Sequence, residues 1–210
     1  MIFDISKLYN YINGVIHVGG HHGQECHSYL QFGMEHICIF EPVPSHFKIM
    51  KEQVDDTRVR MFNVALGSKR DTTTINISDF EGENAHLYKG MSSSILQPKK
   101  HLEQYEHIKF TETLPVEVHT LNDFSVENNI QVNDYDFMNI DVQGYELEVL
   151  RGATNFLPNM KYIYTEVNRD EVYENCPMVE DIDNFLHDYG FKRLHTEWAG
   201  DTWGDALYGK

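Results

Sequence analysis

Cysteine is scarce in this chain. It occurs three times in 210 residues, at Cys26, Cys38 and Cys176. An odd number with no C-x-x-C spacing argues against a disulfide framework or a thiolate zinc site and fits a reducing, cytoplasmic setting. Long apolar runs are missing too, since no window approaches the roughly 18 consecutive apolar residues that span a bilayer. The start, Met1 to Lys7, lacks the basic-then-apolar pattern of an export signal. A soluble, unexported protein with no membrane partner is therefore expected. Basic residues are few, with 17 Lys and Arg against 33 Asp and Glu and a formal charge of −16. The basic residues form only small groups such as Lys69-Arg70 and Lys99-Lys100. Such a field repels phosphate backbones, so no nucleic-acid partner is expected. There is no Pro-rich linker, repeat or low-complexity tract, and residues 1–210 read as a single domain. Oligomeric state is left open.

What is present is alternation. Short apolar runs take turns with amphipathic stretches, the trace of a mainly parallel sheet covered by helices on both faces. Strands are expected at Val15–Val18, Ile37–Phe40, Val59–Ala65, Phe137–Asp141, Tyr162–Val167, Phe191–Thr196 and Asp205–Tyr208. Helical spacing covers Gln24–Phe32, Ser45–Val54, Gln143–Gly152 and Met178–Tyr189, with Ser45 as the cap of the second. The stretch 67–118 breaks the alternation and reads as an insertion. It holds a β-leaning piece, Thr72–Ile77, and a loop with Ser92-Ser93-Ser94, and its two readings are a lid facing the substrate and a surface meander.

The run Val15-Ile16-His17-Val18 leads straight into Gly19-Gly20-His21-His22-Gly23 and then a helix. Glycines at a strand-to-helix turn permit tight bending and close approach of a ligand, at the sheet end where nucleotide-like molecules bind. Glu41 ends the next strand, roughly twenty residues on, where a carboxylate can accept hydrogen bonds from both ribose hydroxyls. Nicotinamide oxidoreductases share these features, but their G-x-G-x-x-G spacing does not match, which makes a nicotinamide-dependent enzyme the alternative reading.

Three segments together carry a resemblance: Ile16-His17-Val18-Gly19-Gly20-His21-His22-Gly23-Gln24-Glu25, Phe40-Glu41-Pro42, and the block Ile140-Asp141-Val142-Gln143-Gly144-Tyr145-Glu146-Leu147-Glu148-Val149-Leu150-Arg151-Gly152-Ala153. With these the chain resembles the FkbM family of S-adenosylmethionine-dependent methyltransferases over nearly its whole length. The resemblance implies the class I methyltransferase fold, a Rossmann-like α/β seven-stranded sheet, mostly parallel with an antiparallel last strand. It also implies methyl transfer to a hydroxyl oxygen of a small molecule or sugar. Cofactor contacts are implied for His17, Gly19, Gly20, His21, Gly23, Glu41 and Asp141, with Ala65 near the adenine and Ser93 approaching cofactor or acceptor. Many family members carry Asp where this chain has His17, so His17 is either a cofactor contact or a satisfied core residue.

Methyl transfer from a sulfonium requires an aligned acceptor and a group that takes its proton. Asp141 ends a very apolar strand, where a charge is costly unless paired or functional. Asp141 and Glu166 share the carboxyl edge of the sheet, and either suits a general base. Glu146, in the first turn of the next helix, either complements the helix dipole or points back into the cleft. A divalent metal held by Asp141, Glu166 and oxygen donors such as Asn168 is a less favoured reading. No metal ligand set is assigned among His17, His21, His22 and His27, because strand and turn geometry scatters their directions. Trp198, Trp203 and Tyr208 either line an acceptor pocket or pack a final hairpin. A binding module that lost catalysis is the remaining alternative, and the intact set Asp141, Glu146 and Glu166 speaks against it.

Overall fold

The structure, a computed structural model, describes residues 6–81 and 89–210. A seven-stranded sheet is built from β1 (Gly14–Val18), β2 (His36–Phe40), β3 (Val59–Phe62), β7 (Phe137–Ile140), β8 (Tyr162–Asn168), β9 (Lys192–Ala199) and β10 (Trp203–Gly209), in the order β3-β2-β1-β7-β8-β10-β9. The first five of these strands are parallel, and β10 lies antiparallel to both neighbours. This is the expected seven-stranded architecture with its reversed last strand.

The strands alternate between two apolar layers. Ile16, Val18, Met138 and Ile140 pack under α5 (Leu121–Glu127), α6 (Glu146–Gly152) and α7 (Val179–His187). Val15, Ile37, Ile39 and Phe137 face α1 (Ser6–Tyr9), α2 (Cys26–Gln31) and α3 (Pro44–Gln53). A strand buried on both faces has no polar side to reveal its register, which is why the sequence shows continuous apolar runs.

Several local expectations shift. The strand expected at Val59–Ala65 divides: β3 ends at Phe62, and β4 (Ala65–Leu66) pairs with Val118 and His119 in a second sheet. Asn63 causes the break, its Nδ2 donating to the Glu41 and Pro42 carbonyls at 2.8 and 2.9 Å. Ser45 does not cap α3. Pro44 takes the first helical position, and the cap residue Val43 instead donates its N–H to Glu41 Oε1 at 2.8 Å. Helices α1, α4 (Lys100–Gln104) and α5 were not expected, although Thr120 Oγ1 accepting the Asp123 N–H is a readable start signal for α5.

The insertion is a long hairpin, β5 (Asp71–Phe80) against β6 (Ile108–His119), completed by β4. Its serine stretch is fastened down. Ser94 bridges Asn76, and the Ser94 hydroxyl donates to the Gln143 carbonyl at 2.6 Å. This contact fastens the segment to the loop after β7. Among the described residues, no helix is long and apolar enough to cross a membrane.

Candidate active site

The register of the sheet sets one row of side chains across its carboxyl edge. Val18 pairs with Phe40 and Ile140, Ile140 pairs with Thr165, and Glu166 faces Asp205. One residue further on, Glu41, Gly19, Asp141, Glu166 and Asp205 fall in a single transverse line. Side chains alternate along each strand, so all five lie on the α1–α3 side. The glycine is the gap in a line of acids. Gly19 has φ +91°, and a Cβ there would sit 1.8 Å from the Asp141 carbonyl oxygen. Only a residue without a side chain lets β1 and β7 meet in this way.

A cavity of about 320 Å³ opens over this gap, lined by His17, Gly19, His21, Glu41, Ala65, Ser93, Asp141 and Asp205 among others. Val43, Val64, Leu66, Ile75 and Ile95 supply an apolar wall, and Gly90, Met91 and Ser93 of the insertion form the roof. Seven of the expected cofactor positions thus meet in one space. Gly20 and Gly23 do not line it: their would-be Cβ atoms press on Ile39 and Met50, so they let the turn pack closely rather than approach a ligand.

Glu41 is held from two sides, its Oε2 accepting the His21 N–H and its Oε1 the Val43 N–H, both at 2.8 Å. Each oxygen keeps a lone pair for a further donor, the arrangement a ribose diol requires. His17 is 2 % exposed, and burial lowers its pKa, so the ring is neutral. Its Nδ1 lies 3.3 Å from the Tyr29 hydroxyl, which accepts from Asn139 Nδ2 at 2.8 Å. His17 is a satisfied buried residue that also lines the cavity.

Asp141 is exposed and lines the cavity. Its carboxyl is pushed up to about 6 by burial, with the Gln143 amide pulling the other way and Glu25 and Glu41 adding to the rise. Gln143 was missed as a site residue although it stands inside the diagnostic block. With φ +56°, it turns its amide so that Nε2 donates to Asp141 Oδ1 at 2.7 Å and to Glu166 Oε2 at 2.9 Å. The Tyr173 hydroxyl donates to its Oε1 at 2.9 Å. Asp205, also missed, is raised to about 6 by burial first, then by Asp141 and Glu197. No periodicity distinguishes it from an ordinary hairpin residue.

Two expected catalytic carboxylates stand back from the cavity. Glu166 is 5 % exposed, and burial, then the charges of Glu146, Asp141 and Asp205, push its carboxyl well above the usual range. Glu146 is fully buried. Its Oε1 accepts the N–H groups of Val142 and Gly144 at 3.2 and 3.0 Å, so it shapes the loop that carries Asp141 and Gln143 and does not face the cleft. Its Oε2 has no partner among the described residues, and neither has either polar atom of buried Asn168. A row of acids suits a ligand that brings positive charge.

Burial raises the Glu146 carboxyl from 4.5 to about 7. A group raised on folding stabilises the native state fully below its ordinary value, and that contribution is lost as pH rises through the raised one. The ligand-free protein should therefore lose about 2–3 kcal/mol of stability through this group between about pH 5 and pH 8. Glu146→Gln keeps the acceptor for the loop N–H groups and removes the titration. Chemical unfolding across that range should show a flatter profile for the variant, and parallel profiles would remove Glu146 as the cause.

This strand order, with β10 reversed, is that of the class I methyltransferase fold. Residues 17–193 match the methyltransferase FkbM domain, and the chain belongs to that family. It is 30 % identical over 162 residues to the 2-O-methyltransferase NoeI of Sinorhizobium fredii, covering 76 % of this chain and 65 % of that relative. This chain thus spans just under two thirds of the relative's length. Among solved structures it resembles the methyltransferase FkbM of Methylobacillus flagellatus, at a TM-score of 0.60 and 13 % identity over 95 % of this chain and 43 % of that one. The magnesium protoporphyrin IX methyltransferase of Synechocystis, solved with its cofactor, shares the fold at a TM-score of 0.51 and 9 % identity, covering 98 % of this chain and 76 % of that one. Family membership speaks against the nicotinamide-dependent alternative.

Proposed function

We propose that this protein is an S-adenosylmethionine-dependent O-methyltransferase acting on a hydroxyl of a sugar or another small molecule. The observation that carries the reading is the acidic row broken by Gly19. The cavity offers one carboxylate, Glu41, to a ribose and others, Asp141 and Asp205, to positive charge, which are the groups an adenosyl sulfonium with an α-ammonium presents. Bound S-adenosylmethionine supplies an activated methyl group on a positively charged sulfur.

The chain's own residues then have separable tasks. Glu41 orients the ribose, and the apolar wall around Val43, Val64 and Leu66 receives the adenine. The roof residues Met91 and Ser93 keep water from the transfer zone. Asp141, ionised above about pH 6, accepts the proton of the acceptor hydroxyl as the new O–C bond forms. Gln143 fixes the Asp141 carboxylate in place, and Glu166 and Glu146 support Gln143 and its loop. Hydroxyl acceptors also fit the resemblance to a protein named as a 2-O-methyltransferase. The charge of −16 favours a neutral or cationic acceptor over a nucleic acid.

Calorimetric titration with S-adenosylmethionine tests the cofactor reading. Binding should be 1:1 and should release protons near pH 6, because the raised carboxyls ionise opposite the cation. Labelled methyl groups offered with a panel of sugar and small-molecule alcohols test the transfer, with the label expected on oxygen. Absence of cofactor binding would overturn the proposal outright. Binding without transfer to any hydroxyl acceptor would favour a non-catalytic module.

A further inference from the structure

The sequence gives no reason to group His21, His22 and His46, since two stand in the glycine turn and one in α3. The fold brings them together. One potential ligand nitrogen from each ring lies within 4.8 Å of the other two. The His21 and His22 rings stack at 3.8 Å between centroids with 26° between planes, and His46 meets them edge-on at 4.5 and 5.2 Å. We propose that these three histidines form a binding site for a zinc-class divalent ion at the rim of the cavity.

The first argument is the donor set. Imidazole nitrogens suit Zn²⁺ and its neighbours in the first transition row, whereas Mg²⁺ and Ca²⁺ require oxygen. Zn–N bonds of about 2.0–2.1 Å place tetrahedral ligand nitrogens about 3.4 Å apart, so ring rotations of an ångström or so complete the set. The second argument is orientation. A metal-bound histidine usually donates its other ring N–H to a backbone carbonyl or a carboxylate. His21 Nε2 lies 2.9 Å from the Lys89 carbonyl, which fixes the proton on that nitrogen and leaves Nδ1 for a metal, once the Gln24 amide at 3.1 Å swings aside.

The surroundings agree. Glu41 Oε1 lies 3.8 Å from His46 Nδ1 and supplies negative potential without competing as a thiolate would. The three cysteines are buried elsewhere in the fold. Three protein ligands leave a fourth position for water or for an oxygen of a bound molecule. Gly90 packs against the His46 ring, where an added Cβ would sit 1.9 Å from Cε1. An ion here would tie the glycine turn to α3 directly beneath the roof.

The test uses tag-free full-length protein with Zn²⁺ by calorimetry and with Co²⁺ by visible absorption. One equivalent should bind, with the absorption of nitrogen-ligated tetrahedral Co²⁺. His22→Ala, at a half-exposed residue outside the cavity wall, should weaken binding by roughly tenfold or more. His46→Gln should do the same, with circular dichroism confirming that both variants fold. Asp141→Asn should leave Zn²⁺ affinity unchanged. The proposal fails if no stoichiometric ion binds or if His22→Ala binds as tightly as the parent. It fails too if Asp141→Asn is the variant that loses the ion, since the site would then be the carboxylate row.

Discussion

Asp141→Asn should lower kcat by about a hundred- to ten-thousandfold, a larger loss than the weakening of S-adenosylmethionine binding that follows from removing one of the two carboxylates facing the cation. The amide preserves shape and still accepts from Gln143 Nε2, now 2.7 Å from Oδ1, so position is kept while basicity and the negative charge are lost. Glu166→Gln provides the contrast. The Glu166 carboxyl lies behind Gln143, outside the cavity lining, and burial with three neighbouring acids pushes its pKa well above the usual carboxylate range. An amide there keeps an oxygen to accept from Gln143 Nε2 and lies outside the cavity lining, so turnover should fall far less, by roughly tenfold at most. The kcat/KM profile of the parent enzyme should rise through about pH 6 as Asp141 ionises, and the Asn variant should lack that limb. The reverse ranking of the two variants would move the base to Glu166.

Gly19→Ala should abolish cofactor binding and destabilise the fold by about 2–4 kcal/mol. Two costs coincide at this position. The backbone has φ +91°, which an L side chain rarely adopts, and the new Cβ would meet the Asp141 carbonyl oxygen at 1.8 Å. Relief requires β1 and β7 to separate at their carboxyl ends, and that displaces Asp141 itself. Gly33→Ala is the matched control. It also has positive φ, +80°, but nothing lies within 4 Å of its Cβ, so it should pay only the backbone cost and keep cofactor affinity. Thermal unfolding and titration of both variants separate strain from steric blockage, and equal loss of binding in the two would sink the close-approach argument.

The sequence by itself determined the layered α/β architecture, because apolar runs bounded by glycine turns leave few ways to bury a parallel sheet. It also put Glu41 and Asp141 at the carboxyl ends of their strands, where the structure has them lining the cavity, since a charge at the end of an apolar strand is legible without coordinates. It could not place Glu146. Position in a helix's first turn is compatible with facing a cleft or facing the core, and only the packing of α6 decided for the core, where Oε1 takes the Val142 and Gly144 N–H groups. The division of the third expected strand was equally hidden, because it depends on Asn63 reaching carbonyls of the Glu41–Pro42 corner.

Long-range juxtapositions were invisible for a common reason: periodicity reports which face a residue occupies within its own element, not which residue of another element lies opposite. The line Glu41, Gly19, Asp141, Glu166 and Asp205 comes from register across five strands, and Asp205 enters it only because β10 inserts between β8 and β9. The same holds for the histidines. The sequence suggested that His21 and His22 point apart and gave no role to His46. The positive φ of His21, 44°, and the seating of α3 beside the glycine turn brought the three rings within reach of a single ion.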